Sequence, residues 1–346
     1  MASSASGGRL RSVNKERAAT AIAHPNIALV KYWGKRDEDL VLPSADSLSV
    51  TLNAYPTTTT VKLQPDGAED RVVIDGVSAS GTKLHRVIDF LDLVRRHTDE
   101  PCAVSVTTHN TVPTGAGLAS SAAGFAALAC ASATAFRINL DDRALTSLAR
   151  RGSGSAARSV HGGFVHWYAG DSNARDPHAS SYAEPVRGVT VDLALIVVLV
   201  DEKAKSVSSR EAMRRTQATS PDYAGWLANI RSDIRLMRTA LVGGDLETVG
   251  RIAENNAMGM HHTMETASPP INYRTPGSHQ VLEAVRALRR AGEQTWATMD
   301  AGPNVKVICP PADASRIAER LRETTSYRTV IAGPGPGVRL RTQEEA

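Results

Sequence analysis

Aromatic residues make up only 4% of this 346-residue chain, which leaves no ladder of rings for stacking bases. Cysteine is scarce as well. Cys102, Cys130 and Cys309 are odd in number, far apart and form no Cys-x-x-Cys pair. That excludes a disulfide framework and points to free thiols in a reducing compartment. The ten histidines show no His-Glu-x-x-His or comparable spacing, so no zinc site is expected. Long apolar runs are missing too: the longest, Leu193 to Val200, is far too short to span a bilayer and reads as a buried strand. Met1 to Arg17 is rich in Ser, Gly and Arg without an apolar stretch, a flexible leader rather than a secretory signal. A net charge of +4, with arginine outnumbering lysine, suits an anionic substrate but is too mild and dispersed for nucleic acid. The expectation is a cytoplasmic protein with neither nucleic acid nor membrane as partner.

What is present is an ordinary globular composition, 42% hydrophobic and 22% charged, long enough for two domains. Ser47 to Leu52 alternates polar and apolar as a half-buried strand should. Strands at Thr57–Leu63 and Arg71–Ile74 follow, the second ending at an Asp75-Gly76 turn. Lys83 to His97 then changes period, with Leu84, Val87, Ile88, Leu91 and Val94 on one helical face. A strand over 103–107 and helices over 120–136 and 143–150 come next, then a polar stretch from Gly170 to Arg187 that reads as a surface excursion. After the strand at 193–200, helices are expected at 207–217, 222–242, 245–262, 279–291 and 313–323, and strands at 295–300, 305–309 and 327–332. Strands and helices mix without βαβ alternation, which predicts a two-layer α+β fold. The division is a leader over 1–17, a first domain over 18–190 and a second over 191–340.

Four segments carry chemistry. Pro113 to Ala123 is a glycine-bearing turn running into an alanine-rich helix, where exposed N–H groups and the helix dipole suit a phosphate. Ser120 and Ser121 stand where that helix wants its N-cap, and their hydroxyls can also serve phosphate or magnesium. Taken alone the loop reads as an ordinary turn and N-cap, and the phosphate reading gains weight only from the further segments. It has neither P-loop nor Rossmann order. Pro25 to Arg36 packs Asn26, Lys31, Tyr32, Trp33 and Lys35 together, and Lys31 closes an apolar run where a charge needs a partner. Arg151 to Gly163 is dense in Ser, Gly and Arg, with Arg158 offering a planar fork to carboxylate or phosphate. Asp300 ends an apolar strand at a Gly-Pro turn, which either projects a carboxylate into a cleft or merely starts the turn.

Together these segments resemble the diphosphomevalonate decarboxylase family of the GHMP kinase superfamily. The matching strings are Lys31-Tyr-Trp-Gly-Lys35, Leu42-Pro43 with Ser47 to Leu52, Thr114 to Phe125, Gly152-Ser-Gly-Ser-Ala156 with Arg158, Val207-Ser-Ser-Arg210, and His261 before Ser268 to Ile271. Asp300-Ala-Gly-Pro-Asn304 closes the series. The order covers residues 20 to 305. Two departures occur: Thr114-Gly115-Ala116 where Thr-Ala-Ala is common, and the His261-His262 doublet. The resemblance implies an N-terminal domain like ribosomal protein S5 domain 2, a ferredoxin-like C-terminal domain and an active site in the cleft between them. It implies ATP and Mg2+ as co-reactants, mevalonate 5-diphosphate as substrate, and a homodimer. On the family pattern Asp300 positions or deprotonates the C3 hydroxyl, Lys31 lies beside it and Arg158 binds the substrate carboxylate. Asn26, Tyr32, Lys35, Ser153, Ser155, Ser209 and Arg210 would hold the rest of the substrate, the diphosphate above all. Gly115, Ala116, Gly117, Leu118 and Ala119 would cradle the ATP phosphates with Ser120 and Ser121, which also face magnesium. Four alternatives share the scaffold: a phosphomevalonate decarboxylase, a mevalonate 3-kinase, a kinase of the same superfamily acting on a sugar or amino acid, and a non-catalytic ligand sensor.

Overall fold

The computed structural model describes residues 17–65, 68–99, 101–111, 120–200 and 207–342. Its architecture is α+β, as expected. The first part runs β1 (Ala18–Ala23), β2 (Asn26–Val30), the short pair β3 (Lys35–Asp37) and β4 (Leu42–Pro43), β5 (Ser47–Thr51), β6 (Thr57–Leu63), β7 (Arg71–Ile74) and β8 (Val77–Ser78). It continues through α1 (Gly81–Arg95), β9 (Val104–Asn110), α2 (Ser120–Ala135), α3 (Asp142–Gly152), α4 (Ala156–Ser159), β10 (Phe164–Trp167), α5 (Pro177–Ser180) and β11 (Ala183–Pro185). The second part holds β12 (Ala194–Leu199), α6 (Ser209–Thr219), α7 (Tyr223–Gly243), α8 (Leu246–Glu265), α9 (Pro276–Arg290), β13 (Trp296–Met299), β14 (Val305–Cys309), α10 (Ala314–Thr325), β15 (Arg328–Ala332) and β16 (Arg339–Leu340).

One sheet has the order β16-β1-β6-β9-β7-β8, a second β11-β10-β5-β2 and a third β13-β14-β12-β15. Among them only β7 and β9 run parallel. The alanine-rich α2 is apolar on every side and buries most of its length against β1 and β6, where small side chains let helix and sheet approach closely. Helix starts follow local chemistry. Asp141, Ser208 and Asp245 each accept a backbone N–H at the start of α3, α6 and α8, and Thr275 with Ser278 forms a capping box ahead of Pro276 in α9. Helix α8 lies between β2 and β13 and so touches both walls of the future site.

Three local expectations change. Strand β5 is buried on both faces rather than half-buried, because its polar side chains meet protein instead of water: the Thr51 hydroxyl donates to the His161 carbonyl at 2.8 Å. The stretch after Gly170 is only partly a surface excursion. Ser181 is buried, accepts the Trp167 indole N–H at 3.1 Å, and leads into β11 beside β10. The chain also does not stop its sheets at β15. Residues 333–338 cross back over β5, and β16 pairs with β1.

That return depends on Gly335, whose N–H donates to the Thr51 carbonyl at 2.7 Å while its own carbonyl accepts from Gly163 N–H at 2.9 Å. A Cβ there would land on the Leu52 carbonyl group. Gly335→Ala is therefore expected to destabilise the fold by about 1–3 kcal/mol, read as a lower urea midpoint. An unchanged midpoint would mean the returning tail is not packed on β5.

Candidate active site

One cleft of about 830 Å³ is walled by the end of β2, the head of α2, the α3–α4 turn, the start of α6 and the β13–β14 turn. Its inner wall is a charge cluster. Lys31, just past β2 and 2% exposed, places Nζ 2.9 Å from Oδ1 of Asp300. The same ammonium donates to the Ala28 carbonyl at 2.6 Å, and the Lys31 N–H donates to Asn256 Oδ1 at 2.8 Å. Lys306 of β14 reaches the other carboxylate oxygen, Oδ2, at 3.3 Å. Burial pushes the Asp300 carboxyl upward, but the two lysines beside it prevail and hold it well below the usual carboxylate range. Burial also lowers Lys31, against the pull of Asp300, with Lys306 and Arg158 adding repulsion.

His261 of α8 fixes the turn itself. A carbonyl can only accept, so the 3.2 Å contact between His261 Nε2 and the Asp300 carbonyl makes Nε2–H the donor. Burial, with Arg274 and Lys31 nearby, lowers this imidazole to about 3 and keeps it neutral. It is a structural donor rather than a proton shuttle.

Arg158 enters the cleft from α4. Its Nε donates to Asn26 Oδ1 at 3.2 Å and its Nη1 to Ser47 Oγ at 2.7 Å, both neutral acceptors. Asn26 is held in turn, with Nδ2 donating to Ser159 Oγ at 2.7 Å and to the Ser155 carbonyl at 3.0 Å. Burial lowers the Arg158 guanidinium to about 10 while Asp300 supports it, so it stays charged at neutral pH. A buried cation whose hydrogen bonds are all to neutral groups is prepared for an anionic ligand. Tyr32 stands beside it, edge-on to Trp167 with ring centres 4.7 Å apart. Its ring fills the space over Gly154, where a Cβ would overlap it. The Tyr32 hydroxyl is buried without a hydrogen-bond partner among the described residues, and burial together with Glu38 keeps it protonated.

All the described residues expected from sequence line this one cleft: Asn26, Lys31, Tyr32, Lys35, Ser120, Ser121, Ser153, Ser155, Arg158, Ser209, Arg210 and Asp300. Ser121 Oγ and Ser153 Oγ lie 3.3 Å apart, so the head of α2 meets the α3–α4 turn. Lys35 pairs with Glu38, and Arg210 is exposed at the start of α6. Gly115, Ala116, Gly117, Leu118 and Ala119 lie outside the described residues. Sequence reading missed Lys306, Asn256 and the acceptor role of Ser47. Lys306 left a signal: a lysine between Val305 and Val307 in a wholly apolar strand needs an anion nearby. Asn256 left none, because an amide within a helix is commonplace.

Two family descriptions match the chain: the diphosphomevalonate decarboxylase-like N-terminal domain over residues 23–183 and the mevalonate 5-diphosphate decarboxylase C-terminal domain over 194–333. The chain belongs to the diphosphomevalonate decarboxylase family. Its human relative, diphosphomevalonate decarboxylase, is 34% identical over 84% of this chain and 76% of that protein. A phosphomevalonate decarboxylase of Haloferax volcanii is 31% identical over 95% of this chain and 99% of its own length. Among solved structures, the mevalonate diphosphate decarboxylase of Staphylococcus aureus superposes with a TM-score of 0.90 at 36% identity, covering 95% of this chain and 99% of that one. Another, MDDEF in complex with MVAPP, AMPPCP and magnesium, gives 0.89 at 41% identity over 95% and 100%.

The unpartnered Tyr32 hydroxyl yields a test of the unliganded site. A buried hydroxyl that bonds to protein loses about 1 kcal/mol when removed. Tyr32→Phe in this family member is expected to show no such loss in a thermal or urea melt. A destabilisation of that size would place a protein partner on the hydroxyl.

Proposed function

We propose that this chain converts mevalonate 5-diphosphate and ATP into isopentenyl diphosphate, ADP, phosphate and carbon dioxide. The observation that carries the reading is the ionised Asp300, held between Lys31 and Lys306 and facing the same cleft as Arg158 and the serine-lined head of α2. Membership of the family supports it, as does the likeness to a structure holding MVAPP, AMPPCP and magnesium.

The residues divide the work. Arg158 takes the substrate carboxylate in its planar fork and fixes the reacting end. Tyr32, Lys35, Ser153, Ser155, Ser209 and Arg210 take the diphosphate, and Asn26 keeps Arg158 in register. Asp300 accepts the hydrogen bond of the tertiary C3 hydroxyl and aligns that oxygen for attack on the terminal phosphorus of ATP. The C3 oxygen gains a phosphoryl group and gives up its proton to Asp300 as the new bond forms, ADP leaves, and Lys31 offsets the charge that grows on the transferring group. The C3–O bond then breaks with its electrons going to phosphate. The bond from C2 to the carboxylate breaks next, its electron pair becoming the C2=C3 double bond as carbon dioxide departs. No electron-sink cofactor is required.

Gly115 to Ala119, with Ser120 and Ser121, bind the ATP phosphates in this reading. Among the described residues no cluster of His, Cys, Asp or Glu forms a cage for a metal ion. The two serine hydroxyls are the hard oxygen donors that suit a magnesium ion arriving on phosphates. Magnesium supplies charge neutralisation there. The leader over 1–17 and the domains over 18–190 and 191–340 belong to the proposal, supported by the family matches on either side of residue 190. A homodimer and a cytoplasmic location belong to it too. No helix among the described residues is long and apolar enough to cross a membrane.

The deciding assay supplies ATP and magnesium with mevalonate, mevalonate 5-phosphate or mevalonate 5-diphosphate, and follows ADP and carbon dioxide together. Matched release from the diphosphate alone is expected. ADP without carbon dioxide would make the chain a kinase, and activity only with the monophosphate would keep the mechanism and overturn the diphosphate pocket. Silence with all three would leave a ligand sensor. Asp300→Asn in the same assay is expected to lower turnover by roughly 100-fold or more while mevalonate 5-diphosphate still binds in a calorimetric titration. Near-normal turnover would remove Asp300 from the chemistry.

A further inference from the structure

The mechanism above draws on one lysine beside Asp300, and the structure holds two. Lys306 sits in the middle of β14, a strand buried along its whole length. Alternation turns its side chain to the face opposite Val305 and Val307, where Nζ meets Oδ2 of Asp300 at 3.3 Å and the Asn304 carbonyl at 3.3 Å. Lys306 pairs across the ladder with Thr298 of β13, the strand that leads directly to Asp300. One hairpin therefore supplies both the carboxylate and its second cation. Lys31 lines the cleft and Lys306 does not. At 1% exposure, Lys306 stands behind Asp300, where it can act on the substrate only through that carboxylate.

We propose that Lys306 is a positioning residue for the decarboxylation, anchoring Oδ2 of Asp300 so that the carboxylate keeps its orientation when Lys31 is drawn towards the anionic reactants. A carboxylate with a cation on one oxygen is free to pivot about its Cβ–Cγ bond. With an ammonium on each oxygen it is not. Among the described residues the remaining charged or titratable neighbours of Asp300 are Arg158 from α4, acting through its field, and neutral His261 from α8 on the main-chain carbonyl. Neither replaces Lys306 on Oδ2. The inference rests on the function proposed above.

The test compares wild type, Lys306→Met and Lys306→Arg in the coupled ADP and carbon dioxide assay, with a thermal melt on each. Lys306→Met is expected to lower kcat roughly tenfold or more, with KM for ATP and mevalonate 5-diphosphate within about threefold of wild type. Lys306→Arg, which keeps a cation on that side of the carboxylate, is expected to bring kcat back to within about threefold of wild type. If the Met variant loses its cooperative melt, Lys306→Gln supplies the same readouts. An unchanged kcat in Lys306→Met, or a fall in kcat that Lys306→Arg does not relieve although its melt matches wild type, would overturn the inference. A wild type that releases no carbon dioxide would instead overturn the function, so the two failures are distinct.

Discussion

Lys31, Asp300 and Lys306 meet only if β2, the β13–β14 hairpin and α8 all dock, and each charge is tolerable in its place only because the others are there. Burying an ammonium is expensive unless a carboxylate answers it, and removing one partner leaves the other unpaired in a poorly solvated setting. The cluster therefore constrains the assembly around it. Helix α8 contributes Asn256 to the Lys31 backbone and His261 to the Asp300 carbonyl, so the helix that closes the interior also sets both ends of the reacting pair. Asn256 donates in turn to Asp233 of α7 at 2.7 Å, which carries the register outward to the next helix.

Much of this framework was legible from local chemistry. The alanine-rich α2, the apolar β12 and the spans of α7, α8 and α9 are among the elements expected from sequence, and their observed ends fall within a few residues of those expected. What stayed hidden is non-local. The return of β16 to β1 runs through a Gly- and Pro-rich tail with no strand signal of its own. Ser47 and Thr51 looked like the solvent face of a strand, because sequence shows alternation but not whether water or Arg158 waits on the polar side. Lys306 looked like a single polar interruption of an apolar strand, and only the fold shows that its partner is six residues earlier across a turn. The family strings located the cleft residues but are silent on which of them touch one another.

The cleft is electrostatically unfinished in a consistent direction. Among the described residues Arg158 hydrogen-bonds only to neutral groups, the Tyr32 hydroxyl meets no acceptor, and two lysines share one carboxylate. Arg86, Lys83 and Arg210 add positive charge along the same walls. Preorganised donors of this kind are already oriented before a ligand arrives, so binding spends little on rearranging them. A substrate carrying a carboxylate and phosphate groups supplies the missing anions. A neutral sugar would leave Arg158 without an anion.

In the proposed reaction the two lysines decide how Asp300 works. A general base is most effective when its pKa lies near the working pH, yet two ammonium groups hold this carboxyl far to the acidic side. Such a carboxylate is a weak proton acceptor and a strong, well-oriented hydrogen-bond acceptor. Phosphoryl transfer with little bond formation in the transition state asks mainly for the second property, since the hydroxyl proton becomes acidic only as the new P–O bond forms. The lysine pair therefore favours a carboxylate that aligns the hydroxyl early and takes its proton late. In the reaction proposed above Arg158 serves the following step: it holds the substrate carboxylate until C–C cleavage discharges it as neutral carbon dioxide, at which point the arginine's attraction for the product is lost and release is favoured.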